Sequence, residues 1–269
     1  MKDSSVTRFL VLGCGYSGST LISGLLNLNG FRTPKSTRDF ESRELNQLCR
    51  QLLNGVVLRE ADIRAFFCEL DRRTRGRWSL KSPQLAETIG RIYPSVGNPV
   101  KLIYNVRAPG PTIAHLLRSR RTYWPDAADT DRLSSAEDEW RRRNRCVIRF
   151  LDTVCNSPCL VTDYDEIVEG RMDSLLCRYV EKSLDLSFIE PRKRRSNVMP
   201  VSTDLEVLYA DITRRRIANN RAVMRDYPPM EPASRSKLKL RARTMLVANR
   251  LVNAIHTQRC RLLNRTRVE

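Results

Sequence analysis

Short apolar runs separated by helical stretches constrain this chain more than any other feature of its sequence. The runs Phe9–Leu12, Trp78–Leu80, Val100–Val106 and Cys159–Thr162 have the length of strands buried on both faces. Helical periodicity fills the intervals, over 19–28, 43–54, 60–73, 84–92, 135–155 and 172–183. Pro109-Gly110-Pro111 turns the third run into a further helix through Arg120. Neighbouring strands can run parallel only when a long crossover, usually a helix, joins them. The expected architecture is therefore α/β: three layers, with a mainly parallel sheet covered by helices on both faces. Hydrophobic residues make up 41% of the 269 positions, enough to build the core such a sheet needs. Ligands of open sheets lie beyond the carboxyl ends of the strands, so chemistry is expected after residues 12, 80, 106 and 162.

The first of these places carries the sequence Gly13-Cys14-Gly15-Tyr16-Ser17-Gly18-Ser19-Thr20, joining a strand to a helix. Small residues let the backbone turn tightly with its amides facing an anion, and the helix N-terminus adds partial positive charge. Ser17, Ser19 and Thr20 add hydroxyl donors. As a nucleotide P-loop, GxxxxGK[ST], the frame holds until Ser19 stands where the lysine belongs. A kinase reading lacks that lysine and also an acidic strand end of the Walker kind.

The same loop is similar to the 5′-phosphosulfate loop of the sulfotransferase superfamily, G-x-x-[RK]-S-G-[ST]-[ST]-L, with one departure between Gly13 and Leu21. Further matches follow in order. Asp39-Phe40-Glu41-Ser42-Arg43-Glu44-Leu45 resembles F-E-x-R-E-[LI], and Trp78-Ser79-Leu80-Lys81-Ser82-Pro83 resembles W-x-x-K-[DS]-P. Lys101 to Pro109 (KLIYNVRAP) is similar to K-[VLI]-I-x-[VL]-V-R-[DH]-P. Asp163-Tyr164-Asp165-Glu166-Ile167-Val168, with Leu184 to Phe188 beyond it, is similar to x-Y-E-D-L-V … L-G-L-x-F. The ordered series spans residues 8–190.

This resemblance implies a sulfuryl transfer from 3′-phosphoadenosine-5′-phosphosulfate (PAPS) to a hydroxyl or amine, without a metal. The acceptor class it implies is a carbohydrate, a lipid or another small molecule. The donor's 5′ end falls to the loop: Gly15, Tyr16, Ser17, Gly18, Ser19, Thr20 and Leu21. Arg107 falls at the 3′-phosphate position, where a planar guanidinium suits a phosphate better than an ammonium. Tyr164 matches a tyrosine near the adenine, and Lys81 a lysine that reaches the sulfuryl group or the substrate. The general base is a carboxylate after the loop, with Glu41 in that position and Asp39 and Glu44 as competitors. Two positions depart from the pattern. Tyr16 stands where the family has arginine or lysine, and His115 where it usually has a serine on the 3′-phosphate. Losing a preorganised cation commonly costs about 3 kcal/mol at the transition state. A sulfotransferase-fold protein that binds PAPS or its desulfated product without efficient turnover is thus an alternative.

Charge adds a separate theme. The chain has 48 Lys plus Arg against 30 Asp plus Glu, a net +18. Ten Lys or Arg and one acid fall in the last 35 residues, carrying half of that excess. Prolines at 228, 229 and 232 mark the boundary, dividing a domain over 1–226 from a basic extension over 227–269. Met245, Leu246, Val247, Leu251, Val252 and Ile255 give 235–269 the pattern of a basic amphipathic helix suited to an acidic surface or nucleic acid. No recognition module such as a zinc finger accompanies it. Eight scattered cysteines without a CxxC spacing suggest reduced thiols and a cytoplasmic setting. No apolar run approaches the roughly 18 residues of a membrane span.

Overall fold

The computed structural model describes residues 8–230 apart from 38, 98, 119–128, 156–158, 190–198 and 228. Four strands, β1 (Arg8–Leu12), β2 (Trp78–Lys81), β3 (Lys101–Val106) and β4 (Cys159–Asp163), form one sheet in the order β2-β1-β3-β4. Every pair is parallel, with Leu10 opposite both Leu80 and Leu102, and Asn105 opposite Thr162. The helices are α1 (Ser19–Leu28), α2 (Arg43–Leu53), α3 (Glu60–Thr74), α4 (Leu85–Ile92), α5 (Pro109–Arg118), α6 (Asp129–Thr153), α7 (Tyr164–Glu169), α8 (Asp173–Val180) and α9 (Thr203–Asp226).

Alternation along the strands divides the core in two. Leu10, Leu12, Leu80, Leu102 and Tyr104 point to one face and pack with residues of α2 to α6 such as Leu48, Phe67, Ile89, Ile113 and Trp140. Phe9, Val11, Ile103 and Leu160 point to the other and meet Ile22, Leu25, Leu176 and Val180 of α1 and α8. Burial on both faces explains why the strands read as continuous apolar runs. This is the three-layer α/β architecture expected from the sequence.

The strand order fixes where a ligand can lie. The chain leaves β1 for β2 on one side and then returns past β1 to β3 on the other. The connections after β1 and β3 diverge, and open sheets of this kind take their ligands in the crevice between such connections. At its floor Gly13 lies so close to the end of β3 that a Cβ there would sit 2.6 Å from the Asn105 carbonyl oxygen and 2.6 Å from Ser17 Oγ. Only glycine fits this approach.

Two helices carry no clear signal in the sequence. α9 spans 24 residues yet buries only Leu205, Ile212, Asn220 and Val223, so its apolar stripe is thin among arginines. α7 is a single short helix, begun by Asp163, whose carboxylate accepts from the amides of Asp165 and Glu166 at 2.9 and 3.3 Å. α6 also begins earlier than its periodicity suggests, at Asp129. The expected tail helix over 235–269 lies outside the described residues. Among the described residues, no helix is long and apolar enough to cross a membrane, and no cluster of His, Cys, Asp and Glu could hold a metal ion.

Candidate functional site

The glycine loop is built to leave its donors available. Gly18 caps α1 at φ 92° with no side chain to bond the helix amides, and the first turn holds no acidic residue. The first amides of a helix have no partner within it, so this end favours an anion. Tyr16 also adopts a left-handed conformation, φ 62°, which a non-glycine residue enters at a cost of about 1 kcal/mol or more. Asn105 holds the turn in place: its amide donates to the Ser17 carbonyl at 2.7 Å and accepts from the Thr162 hydroxyl at 2.7 Å. Ser17 Oγ is buried and has no hydrogen-bond partner among the described residues.

Lys81, the last residue of β2, reaches this loop from the adjacent strand. The residue is 4% exposed, which excludes a solvated surface lysine. Nζ donates to Thr20 Oγ1 at 2.7 Å and to the Asp39 carbonyl at 3.2 Å, and lies 3.5 Å from Glu41 Oε1. Burial pushes the ammonium's pKa below the ordinary lysine value, while Glu41 and Asp39 oppose that shift.

The three carboxylates competing for the role of base are separated by their surroundings. Glu44 is drawn to Lys35 at 2.6 Å and to Arg73 at 3.2 Å. Asp39 offers Lys81 its backbone carbonyl. Glu41 brings its carboxylate beside the Lys81 ammonium, and Asn46 donates to its second oxygen at 3.3 Å. Phe40 sets this arrangement: it is buried, takes φ 56°, and meets the Phe188 ring edge-on at 5.6 Å. Ser42 then bonds the Lys81 carbonyl through its amide at 3.1 Å and caps α2 by accepting from the Leu45 amide.

Arg107 follows β3 at the opposite wall. It is 6% exposed, and its Nε has no hydrogen-bond partner among the described residues. The guanidinium lies 4.4 Å from the centroid of the Tyr164 ring, and the Trp140 indole donates to the Arg107 carbonyl at 3.3 Å. Tyr164 in turn packs on the loop, since a Cβ at Gly18 would be 2.1 Å from its Cδ2. Tyr16 and His115, the two departures from the family pattern, touch each other: their rings form a tilted stack with centroids 4.3 Å apart. Leu21 bonds the Gly18 carbonyl through its amide at 2.8 Å and begins the packing of α1.

Loop, Lys81, Glu41, Arg107, Tyr164 and His115 thus gather at the carboxyl end of the sheet. Sequence reasoning passed over Asn105 and Phe40. The signal for Asn105 is one amide inside the apolar run VKLIYNV; no pattern announces the backbone conformation of Phe40.

A buried cation on each wall, a glycine loop between them and donors without a partner among the described residues make this the candidate site on the parallel sheet. Two solved structures share the fold over most of both chains. The first is a sulfotransferase domain from the curacin biosynthetic pathway, at 16% identity and a TM-score of 0.56, covering 77% of this chain and 97% of its own. The second is the sulfotransferase domain of the Synechococcus PCC 7002 olefin synthase, at 20% identity and a TM-score of 0.52, covering 78% and 93%. No protein-family model matches the chain, and no curated protein matches it. The chain has the sulfotransferase fold.

Proposed function

We propose that this protein transfers a sulfuryl group from PAPS to a hydroxyl or amine of a small molecule, lipid or carbohydrate. The observation that carries the reading is a pair of buried donors with no partner among the described residues: Ser17 Oγ, next to an uncapped helix N-terminus, and Arg107 Nε, joined to that helix end through Tyr164. An unsatisfied buried donor costs about 1–3 kcal/mol, and a ligand with anionic groups at both places would relieve both.

The roles follow from charge. The loop amides with Ser17, Ser19 and Thr20 hold the 5′-phosphosulfate, and Arg107 the 3′-phosphate. Glu41 takes the proton of the acceptor hydroxyl as its oxygen attacks sulfur. The bond from sulfur to the bridging phosphate oxygen breaks in line with that attack, and adenosine 3′,5′-bisphosphate leaves. Lys81, already on Thr20 and beside Glu41, balances the charge that grows on the bridging oxygen. A buried ammonium is suited to this, because its field is little screened.

A second reading, binding of the nucleotide without efficient turnover, is favoured by one observation. Tyr16 stacks on His115 and supplies the loop with no cation. Two measurements separate the readings. Immobilised adenosine 3′,5′-bisphosphate should retain the protein, and Arg107→Ala should lose retention by about a hundredfold or more, the scale of a charge-assisted bidentate contact. Unchanged retention by that variant refutes the site. Turnover of labelled PAPS against a panel of hydroxyl and amine acceptors should be present in the wild type and absent in Lys81→Ala; binding with no transfer to any acceptor selects the second reading.

A further inference from the structure

The stack of Tyr16 on His115 gives the phosphate pocket a property that neither residue would confer alone. His115 sits on α5, two helical turns beyond Arg107, with one ring face against Tyr16 from the glycine loop. No hydrogen bond to its ring nitrogens is found among the described residues. The charged groups that bear on it are Arg118 from its own helix and Arg107 from the end of β3, both positive, while Tyr16 presents a neutral ring. Burial first, and then these two guanidinium groups, disfavour the protonated imidazole. A dianion arriving beside Arg107 offsets that positive field.

We infer that Tyr16 and His115 act as one proton-linked reader of a phosphomonoester: His115 is neutral in the empty site and takes a proton from solvent when a phosphate dianion binds at Arg107. The inference rests on the donor-site reading above. Burial first, then Arg118 and Arg107, depress the imidazole pKa from its usual 6.5 in the empty protein. The bound dianion raises it, because an opposite charge favours the protonated form. The sign follows from linkage. The bound state holds more protons than the empty one, so affinity rises as pH falls from the bound pKa towards the empty one. Each pKa unit of separation is worth about a factor of ten in affinity across that window. Tyr16 is part of the device because an arginine or lysine in its place would add a third permanent cation against the imidazole. The affinity would then come from fixed charge and lose its pH dependence.

The test is calorimetric titration with adenosine 3′,5′-bisphosphate between pH 6 and 8, in buffers of different ionisation enthalpy so that protons are counted. The phosphate's own second pKa, about 6, contributes in the opposite direction, so each value is compared with His115→Asn. The wild type should take up more protons than the variant, and its affinity relative to the variant should rise about three- to tenfold from pH 8 to pH 6.5. Adenosine 5′-phosphate, which lacks the 3′-phosphate, should show no such excess. Tyr16→Arg should bind more tightly with the excess lost. A readout independent of any variant is available, because the sequence has only two histidines, His115 and His256. The His115 imidazole resonance should titrate about one pH unit higher with the bisphosphate bound. Equal proton counts in wild type and His115→Asn, an equal excess with adenosine 5′-phosphate, or an unmoved titration overturns the inference while leaving the site in place. Absence of bisphosphate binding at every pH overturns the donor-site reading and the inference together.

Discussion

Replacing Gly18 by alanine tests how the loop, Tyr164 and Arg107 depend on one another. A Cβ at this position would lie 2.1 Å from Tyr164 Cδ2, 2.9 Å from Cε2 and 3.0 Å from Cγ, so the whole ring edge must move. Gly18 also has φ 92°, where an L-residue pays about 1–2 kcal/mol. Forcing a methyl into filled space adds about 1–3 kcal/mol. The two effects together give a loss of about 2–5 kcal/mol, and for a domain of this size each kcal/mol lowers Tm by about 2–4 °C. A fall on the order of 10 °C is expected in a thermal melt. The displaced ring should also release the Arg107 guanidinium, now 4.4 Å from its centroid, and weaken retention on adenosine 3′,5′-bisphosphate. The double variant Gly18→Ala/Tyr164→Ala separates the two costs. Measured against Tyr164→Ala alone, the added methyl should cost only the backbone share of about 1–2 kcal/mol. If Gly18→Ala melts within a degree of wild type and binds the bisphosphate equally, the described packing of Tyr164 on the loop is wrong.

Two further predictions concern the structure around the site. Arg143 of α6 is buried against Glu87 of α4 at 3.1 Å and Glu139 at 2.6 Å, so Arg143→Leu removes the buried one of the two arginines that pair with both carboxylates and leaves them only the more exposed Arg142. Chemical denaturation should show a loss of about 1–3 kcal/mol, below the roughly 3–5 kcal/mol of a fully unpaired buried charge because Arg142 remains, and no measurable loss would sink the proposed helix-to-helix link. Cys14, inside the glycine loop, is 1% exposed, and burial pushes its thiol pKa up to about 12. At pH 8, where only the thiolate reacts, native protein treated with iodoacetamide should carry label at the exposed Cys68 and none at Cys14. Peptide mapping that finds the two labelled at similar rates refutes the burial of the loop.

The departures at Tyr16 and His115 acquire a meaning in three dimensions that they lack in one. In the sequence they are 99 residues apart and look like independent losses, one of a cation and one of a hydroxyl. In the fold they share a contact, because the connections after β1 and β3 face the same crevice. The choice among Asp39, Glu41 and Glu44 shows the same limit. All three lie in one short segment with equivalent local chemistry. The left-handed backbone of Phe40 and the hold of Lys35 and Arg73 on Glu44 separate them, and both depend on residues distant along the chain.

The sequence by itself determined the layer architecture, because strands buried on both faces must be apolar throughout and parallel strands need helical crossovers. It also determined the glycine loop, since a tight strand-to-helix turn with exposed amides requires small residues in a fixed frame. Tertiary structure alone decided which side chains meet there. Strand order is not written in any one strand, and the order β2-β1-β3-β4 is what brings Lys81 onto Thr20 from one neighbour and Asn105 onto Ser17 from the other. It also set the direction in which ionisable groups at the site shift. Burial moves Lys81 and His115 away from their solution behaviour, and burial is a property of the packed molecule rather than of any residue in it.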